Sequence, residues 1–101
     1  MENCLVLSGT GSIENLPSFR EGAFYVQDPA SRLSVLCAKL PKNARVLDCC
    51  AAPGGKTTDL AASLRERLGD GFILVANEIM KARVGILADN VAIWGDPNVV
   101  V

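Results

Sequence analysis

The side chains best placed to bind a ligand lie in one short run, residues 46–58. Its letters are VLDCCAAPGGKTT: an apolar stretch, an acid, two cysteines, small residues, two adjacent glycines and a lysine at the start of a predicted helix. Gly54 and Gly55 have no Cβ, so a ligand can approach their backbone closely. Unpaired N–H groups at a helix start attract an anion. The run therefore predicts a nucleotide-type ligand site at the carboxyl end of a parallel strand.

Two common phosphate-binding motifs fit this run poorly. A P-loop requires G-x-x-x-x-G-K-[ST], and Gly55-Lys56-Thr57 matches only its second half, because Cys50 stands at the first glycine position. The dinucleotide fingerprint G-x-G-x-x-G is absent, since the two glycines are adjacent. A P-loop nucleotide hydrolase remains as the weaker alternative.

The run resembles the cofactor loop of the NOL1/NOP2/Sun family of RNA cytosine-5 methyltransferases, which use S-adenosylmethionine. Two further blocks resemble that family in the same order and spacing. They are residues 24–31, FYVQDPAS, and the segment Ala76-Asn77-Glu78 followed by Arg83, Leu87 and Asn90. The resemblance extends from about Leu5 to Val101. It implies that the following residues bind S-adenosylmethionine: Asp48, Cys50, Ala51, Ala52, Pro53, Gly54, Gly55, Lys56, Glu78 and Arg83.

Each charged member of that set also has a plain structural interpretation. Asp48 ends a strand, so it orients the cofactor's amino-acid part or accepts hydrogen bonds from the turn. Lys56 opposes the dipole of its helix, which an anionic ligand would offset, although its side chain can also extend into solvent. Glu78 follows the second strand, where an acid accepts ribose hydroxyls or caps the next helix. Arg83 binds the cofactor by resemblance or lies on a solvated helix face.

By resemblance, the parent protein methylates C5 of cytosine in rRNA or tRNA. The family's nucleophilic cysteine and a second cysteine for product release lie in later motifs. Neither motif is in this sequence, and Cys50 matches the cofactor loop instead. We therefore expect no catalytic residue in this chain and no methyl transfer by the chain alone.

Composition limits the other classes of function. The 101 residues suit one small domain, and half of them are hydrophobic. The formal net charge is -1, so RNA affinity is expected to come largely from other parts of the protein. With no histidine and no C-x-x-C, a metal site is not expected. We see neither a signal peptide nor a membrane span, and we expect a reducing, cytoplasmic location.

Hydrophobic spacing predicts the elements that position this loop. Asp28 caps a helix that begins at Pro29 and is stopped by Pro41, and Gln27 and Ser31 are assigned to the same helix start. Strands are predicted at 45–49, 72–76 and 98–101, with helices at 55–69 and 80–94 between them. A short strand and an irregular connection are expected within 5–19. Trp94 is expected to pack.

The predicted order of elements gives an α/β fold with a parallel sheet, the first half of a doubly wound, Rossmann-like methyltransferase domain. Residues 1–28 are assigned to a leading segment and residues 29–101 to a truncated cofactor-binding domain. Such a half sheet has an open edge through which the chain is expected to self-associate. The alternative is an autonomous, noncatalytic cofactor-binding or interaction module.

Overall fold

The computed structural model describes residues 4–101, in which strands and helices alternate from Arg45 onward. In chain order, the elements are a 3-10 turn (Ile13–Asn15), α1 (Pro17–Arg20), α2 (Pro29–Leu36), β1 (Arg45–Asp48), α3 (Gly55–Leu68), β2 (Ile73–Ala76), α4 (Lys81–Trp94) and β3 (Val99–Val100). Residues 1–3 of the predicted leading segment lie outside this description.

The three strands form one parallel sheet in the order β1-β2-β3. Asp48 lies opposite Ala76 in the register, so β1 and β2 end together at the same edge of the sheet. This arrangement confirms the predicted parallel α/β pattern. It also brings the two segments that carry the candidate site, the turn after β1 and the residues after β2, to one edge.

Both long helices pack on the same face of the sheet. Leu74 belongs to a buried cluster with Ala61 and Leu64 of α3, whereas Ala76 belongs to a second cluster with Leu87 and Val91 of α4. Leu74 and Ala76 are two residues apart on β2, so their side chains point to one side.

The opposite face of the sheet is uncovered in the described part of the chain. The exposed fractions are 59% for Leu47, 42% for Ile73, 38% for Val75 and 49% for Val100. Half of a doubly wound sheet is expected to leave one apolar face open, and the structure shows such a face. A continuous apolar run cannot reveal which face has a covering helix, because both faces of a parallel strand are apolar in sequence.

Helix α2 ends earlier than the sequence predicts. Its last helical residue is Leu36, and Cys37 is the C-cap, whereas Pro41 was expected to terminate it. A proline ring clashes with the carbonyl four residues before it and restricts the preceding residue, so Pro41 affects the backbone back to Cys37. Helices α3 and α4 end as predicted, at Gly69 and Gly95, both with positive φ.

The region before α2 contains no strand among residues 4–28, so the short strand expected within 5–19 is wrong. Leu5 and Val6 are 85% and 97% exposed. An isolated extended segment without a partner leaves its backbone groups solvated, and Gly9 and Gly11 take positive φ values of 67° and 65°, which interrupt any extended run.

Candidate functional site

The turn between β1 and α3, residues 49–54, is tied to the end of β2 by backbone hydrogen bonds. Ala51 N–H donates to the Asn77 carbonyl at 2.9 Å, and Asn77 N–H donates to the Asp48 carbonyl at 2.8 Å. The Asn77 side chain also donates to the Cys49 carbonyl at 3.2 Å. This turn is called the glycine loop below. Its fixed position follows from strand pairing that extends one residue beyond the sheet.

The carboxylate of Asp48 stabilises the glycine loop by accepting two hydrogen bonds. One carboxylate oxygen accepts the Thr57 hydroxyl at 2.7 Å, and the other accepts the Cys50 N–H at 3.4 Å. Thr57 is completely buried in the first turn of α3, so this bond closes the loop across nine residues. Asp48 thus accepts hydrogen bonds from the turn, as its structural interpretation predicts. The role of Thr57 was not predicted from the sequence.

The N-terminus of α3 presents unpaired donors. Gly54 is the N-cap with φ of 113°, and the first helical hydrogen bond runs from Thr58 N–H to the Gly54 carbonyl at 2.9 Å. The N–H groups of residues 55–57 therefore have no backbone partner within residues 4–101. Lys56 is exposed beside them and forms no ion pair with any described residue. These groups together make a site of positive potential suited to one anion.

Glu78 lies on the other side of the glycine loop, and its side chain is only 4% exposed. One oxygen accepts the Met80 N–H at 3.0 Å, immediately before α4. The second oxygen is buried without a hydrogen-bond partner in the described chain, 3.8 Å from the Arg83 guanidinium. The Met80 N–H holds the pKa of Glu78 below its ordinary value, against the effect of burial and with help from Arg83 and the Ala52 N–H. Glu78 is therefore an anionic acceptor at neutral pH.

Two side chains of α4 fix the carbonyl groups of the glycine loop. Arg83 donates to the Ala52 carbonyl at 2.5 Å, and Asn90 donates to the Pro53 carbonyl at 2.7 Å. The peptide bond between Ala52 and Pro53 is cis. These contacts give Arg83 the geometry of a residue that positions the loop, with its remaining donors beside Glu78. Asn90 does the same over 37 residues of sequence.

The structure brings every predicted site residue to one edge of the sheet. Within the glycine loop, Ala51 and Ala52 are buried and Cys50 is exposed. The other members lie at the end of β1, on the loop, on α3, after β2 or on α4. Sequence reasoning missed the residues that hold the loop: Thr57, Asn77 and, in its observed role, Asn90. Only their side-chain contacts reveal them, since their sequence positions alone indicate nothing about the loop.

Residues 4–101 contain few other features of a functional site. No group of three or more His, Cys, Asp or Glu side chains there is arranged to hold a metal ion. No helix of that part is long and apolar enough to cross a membrane. A cavity of about 230 Å³ lies near Asn43 and Gly71, just before β1 and β2, at the end of the sheet opposite the glycine loop.

Comparison with known proteins decides the family. The model of the 16S rRNA methyltransferase RsmB/F family matches residues 35–101, two thirds of the chain, including β1, the glycine loop and Glu78. The chain belongs to this family. The match confirms the family resemblance, and its range includes the loop and the block that follows it but not residues 24–31.

Individual relatives agree with this family and show how much of them is covered. The chain is 42% identical over 80 residues to ribosomal RNA small subunit methyltransferase F of Klebsiella pneumoniae, covering 77% of this chain and 16% of the relative. It is 47% identical over 49 residues to a probable ribosomal RNA small subunit methyltransferase B of Coxiella burnetii, covering 48% and 11%. The chain thus spans about a sixth or less of the length of these RsmB/F relatives.

A solved structure supports the fold. The crystal structure of PH0851 matches 90% of this chain and 20% of its own, with a TM-score of 0.71 and 31% sequence identity. This match confirms that the three-stranded parallel sheet with its helices is part of a Rossmann-like methyltransferase fold.

Proposed function

We propose that this RsmB/F-family chain binds S-adenosylmethionine at the glycine loop and supplies half of the cofactor site of an RNA (cytosine-5) methyltransferase. The observation that carries the proposal is the pairing of two chemically opposite groups across one loop. Unpaired N–H groups and Lys56 lie on one side, and the orphaned, buried oxygen of Glu78 lies on the other.

The residues present fit the two ends of the cofactor. The donors at the start of α3 and the Lys56 ammonium suit the carboxylate of its methionine part. The free oxygen of Glu78 suits a ribose hydroxyl, the role of an acid after the second strand in nucleotide-binding α/β folds. Cys50, Ala51, Ala52 and Pro53 would shape the loop between these ends. When bound, S-adenosylmethionine supplies a methyl group on a sulfonium, ready for transfer to a nucleophile.

Arg83 and Asp48 act on the loop and on Glu78. Asp48 keeps the N-terminus of α3 against β1 through Thr57, and Arg83 holds the Ala52 carbonyl while it neutralises part of the Glu78 charge. Asp48 and Arg83 both belong to the proposed cofactor site. Arg83 contributes to it through the guanidinium N–H groups that are not bonded to the Ala52 carbonyl. The loop is therefore organised before the ligand arrives, which lowers the cost of binding.

The relatives named for ribosomal RNA support rRNA as the substrate of the whole protein, with tRNA as the alternative. In this proposal residues 29–101 are the first half of the methyltransferase domain, the RNA is bound mainly by other parts, and the protein works in the cytoplasm. No nucleophile is assigned within the chain, so the chain alone is expected to bind the cofactor without turnover.

Calorimetric titration of S-adenosylmethionine into the chain tests the proposal. We expect saturable binding that Glu78→Ala weakens about tenfold or more, because an ionised acceptor is removed from the ribose. Glu66→Ala is the matched control, since Glu66 is an exposed acid on α3 with no contact to the loop. Absence of binding by the folded chain, or equal loss in both variants, would contradict the proposal. Binding of Mg-ATP that disappears in Lys56→Ala would favour a P-loop protein instead.

A further inference from the structure

Gln27 carries a buried donor that has no partner and lies beside the proposed cofactor site. Its Nε2 atom is buried and makes no hydrogen bond within the described residues. The same atom lies 3.6 Å from the position that a Cβ on Gly55 would occupy. Gly55 is the first residue of α3, whose N–H groups are also unpaired. A buried polar group without a partner is unusual and calls for an acceptor that the chain does not supply.

Contacts on both sides of Gln27 hold it in this place. Two residues before it, the phenol of Tyr25 lies near the side chain of Thr58, in the first turn of α3. Five residues after it, Arg32 forms an ion pair with Asp59, which is only 2% exposed and directly follows Thr58 on α3. These contacts hold the backbone on either side of Gln27 against α3, so its side chain stays beside Gly55.

The neighbouring residue shows that Gln27 is not needed to start α2. The N-cap of that helix is Asp28, whose carboxylate accepts the Ala30 N–H at 2.7 Å. This confirms the predicted cap, and the assignment of Gln27 to the same capping structure is wrong, since its side chain makes no hydrogen bond to α2. The N-terminus of α2 is capped without Gln27, so the Gln27 carboxamide is available for another partner.

From these contacts we infer that Gln27 is a further cofactor-binding residue, whose carboxamide donates a hydrogen bond to the carboxylate of the ligand's amino-acid end. The inference rests on the proposed function. The N–H groups of 55–57, the Lys56 ammonium and the Gln27 Nε2 group are donors, and none of them is paired with an acceptor among residues 4–101. One carboxylate, with about four lone-pair sites, satisfies several of these donors at once.

The carboxamide reaches the ligand by a small motion. Its nitrogen is shielded in the free chain, but the last torsion of a glutamine side chain is broad and roughly two-fold. A rotation about this bond exchanges nitrogen and oxygen with little change in shape. The donor then turns from Gly55 to the ligand while the Tyr25 and Arg32 contacts stay in place.

Two ligands that differ only at the amino-acid end test this role. S-adenosylhomocysteine carries the carboxylate, whereas 5′-methylthioadenosine keeps the adenosine and lacks the whole amino-acid part. We expect Gln27→Ala to raise the Kd of S-adenosylhomocysteine about tenfold and to change that of 5′-methylthioadenosine less than about twofold. Gln27→Glu should weaken the first ligand further, because two carboxylates then face each other. Asp28→Ala is the structural control: it should lower the Tm and leave the ratio of the two Kd values unchanged.

The outcomes separate this inference from the proposed function. If the wild-type chain binds both ligands and Gln27→Ala changes the two Kd values equally or not at all, Gln27 does not bind the carboxylate and the inference fails alone. If the folded wild-type chain binds neither ligand, the proposed cofactor site fails, and the role of Gln27 fails with it. A selective loss for S-adenosylhomocysteine supports both.

Discussion

At the scale of single residues, the two adjacent glycines have different roles: Gly54 ends the glycine loop, and Gly55 begins α3. Gly54 has a φ of 113°, and a Cβ there would lie 3.4 Å from a methyl group of Leu87. Gly55 has an ordinary φ, and a Cβ there would lie in normal contact with Gln27. Backbone conformation therefore requires a glycine only at Gly54, whereas Gly55 leaves space where the ligand is expected.

This difference gives a paired prediction. Gly54→Ala should lower the free energy of unfolding by about 1–3 kcal/mol, the usual cost of a side chain at a disfavoured backbone conformation. Gly55→Ala should keep the Tm, because alanine suits a first helical turn, but should weaken binding of S-adenosylhomocysteine several-fold. Thermal unfolding and calorimetry measure the two effects. Equal unfolding temperatures for both variants would show that Gly54 is not conformationally required.

Site residues that belong to a short local pattern could be predicted from the sequence, whereas residues that make contacts between distant parts of the chain could not. Gly54, Lys56 and Glu78 could be predicted because strand ends and helix starts are local features. The bond from Asn90 to the Pro53 carbonyl spans 37 residues, and the pairing of Gln27 with Gly55 depends on how α2 lies against α3. Spacing along the chain carries no information about either contact.

At the scale of elements, the far end of α3 is joined to the segment after α4. Arg65 donates two hydrogen bonds to the Asp96 carboxylate, at 3.1 and 2.6 Å, and lies 4.9 Å from the centre of the Phe72 ring. The helices themselves could be predicted from hydrophobic periodicity and their terminal glycines. Three features could not be predicted from the sequence, because they depend on partners distant along the chain. They are the early end of α2, the absence of a strand in 5–19 and the contacts of Arg65.

The Arg65–Asp96 pair predicts a specific response to acid. Hydrogen bonds from Arg65 hold the pKa of Asp96 below its ordinary value of 3.8, against the effect of burial. The stabilisation is therefore present above that value and lost as the pH falls through the lowered pKa. Asp96→Asn should lower the Tm by several degrees at pH 7, and this difference from wild type should shrink as the pH falls below 3.8.

Thermal unfolding across this pH range checks the response, with Asp89→Asn as the control, since Asp89 is an exposed acid of α4. The control should leave the difference from wild type nearly constant with pH. A constant difference for Asp96→Asn as well would mean that its ion pair contributes no pH-dependent stability.

At the scale of the whole molecule, the uncovered sheet face is the most unusual surface. Leu47, Val75 and Val100 lie side by side in the register of the three strands, so their exposed side chains form one apolar row. A parallel sheet normally has both faces covered, and the hydrogen-bonding edge of β1 is also unpaired within the described chain. A surface of this kind favours association between molecules.

We therefore predict that the chain self-associates by itself. Sedimentation velocity should show species larger than a monomer, and Val75→Thr with Val100→Thr should shift them toward monomer while keeping the strand preference of both positions. Ile79→Thr is the matched control, because Ile79 is 88% exposed and lies outside the sheet. A monomeric wild-type chain at the same concentration would contradict the prediction and favour an autonomous module.

The most direct test of the central claim is an amide NMR titration with S-adenosylhomocysteine. It reports each backbone N–H separately, so it examines the unpaired donors at the start of α3 themselves. We predict that the largest shifts occur at Gly55, Lys56, Thr57 and Glu78, and that Mg-ATP does not reproduce them. Shifts concentrated elsewhere, no shift at saturating ligand, or the same pattern with Mg-ATP would contradict a cofactor site at the glycine loop.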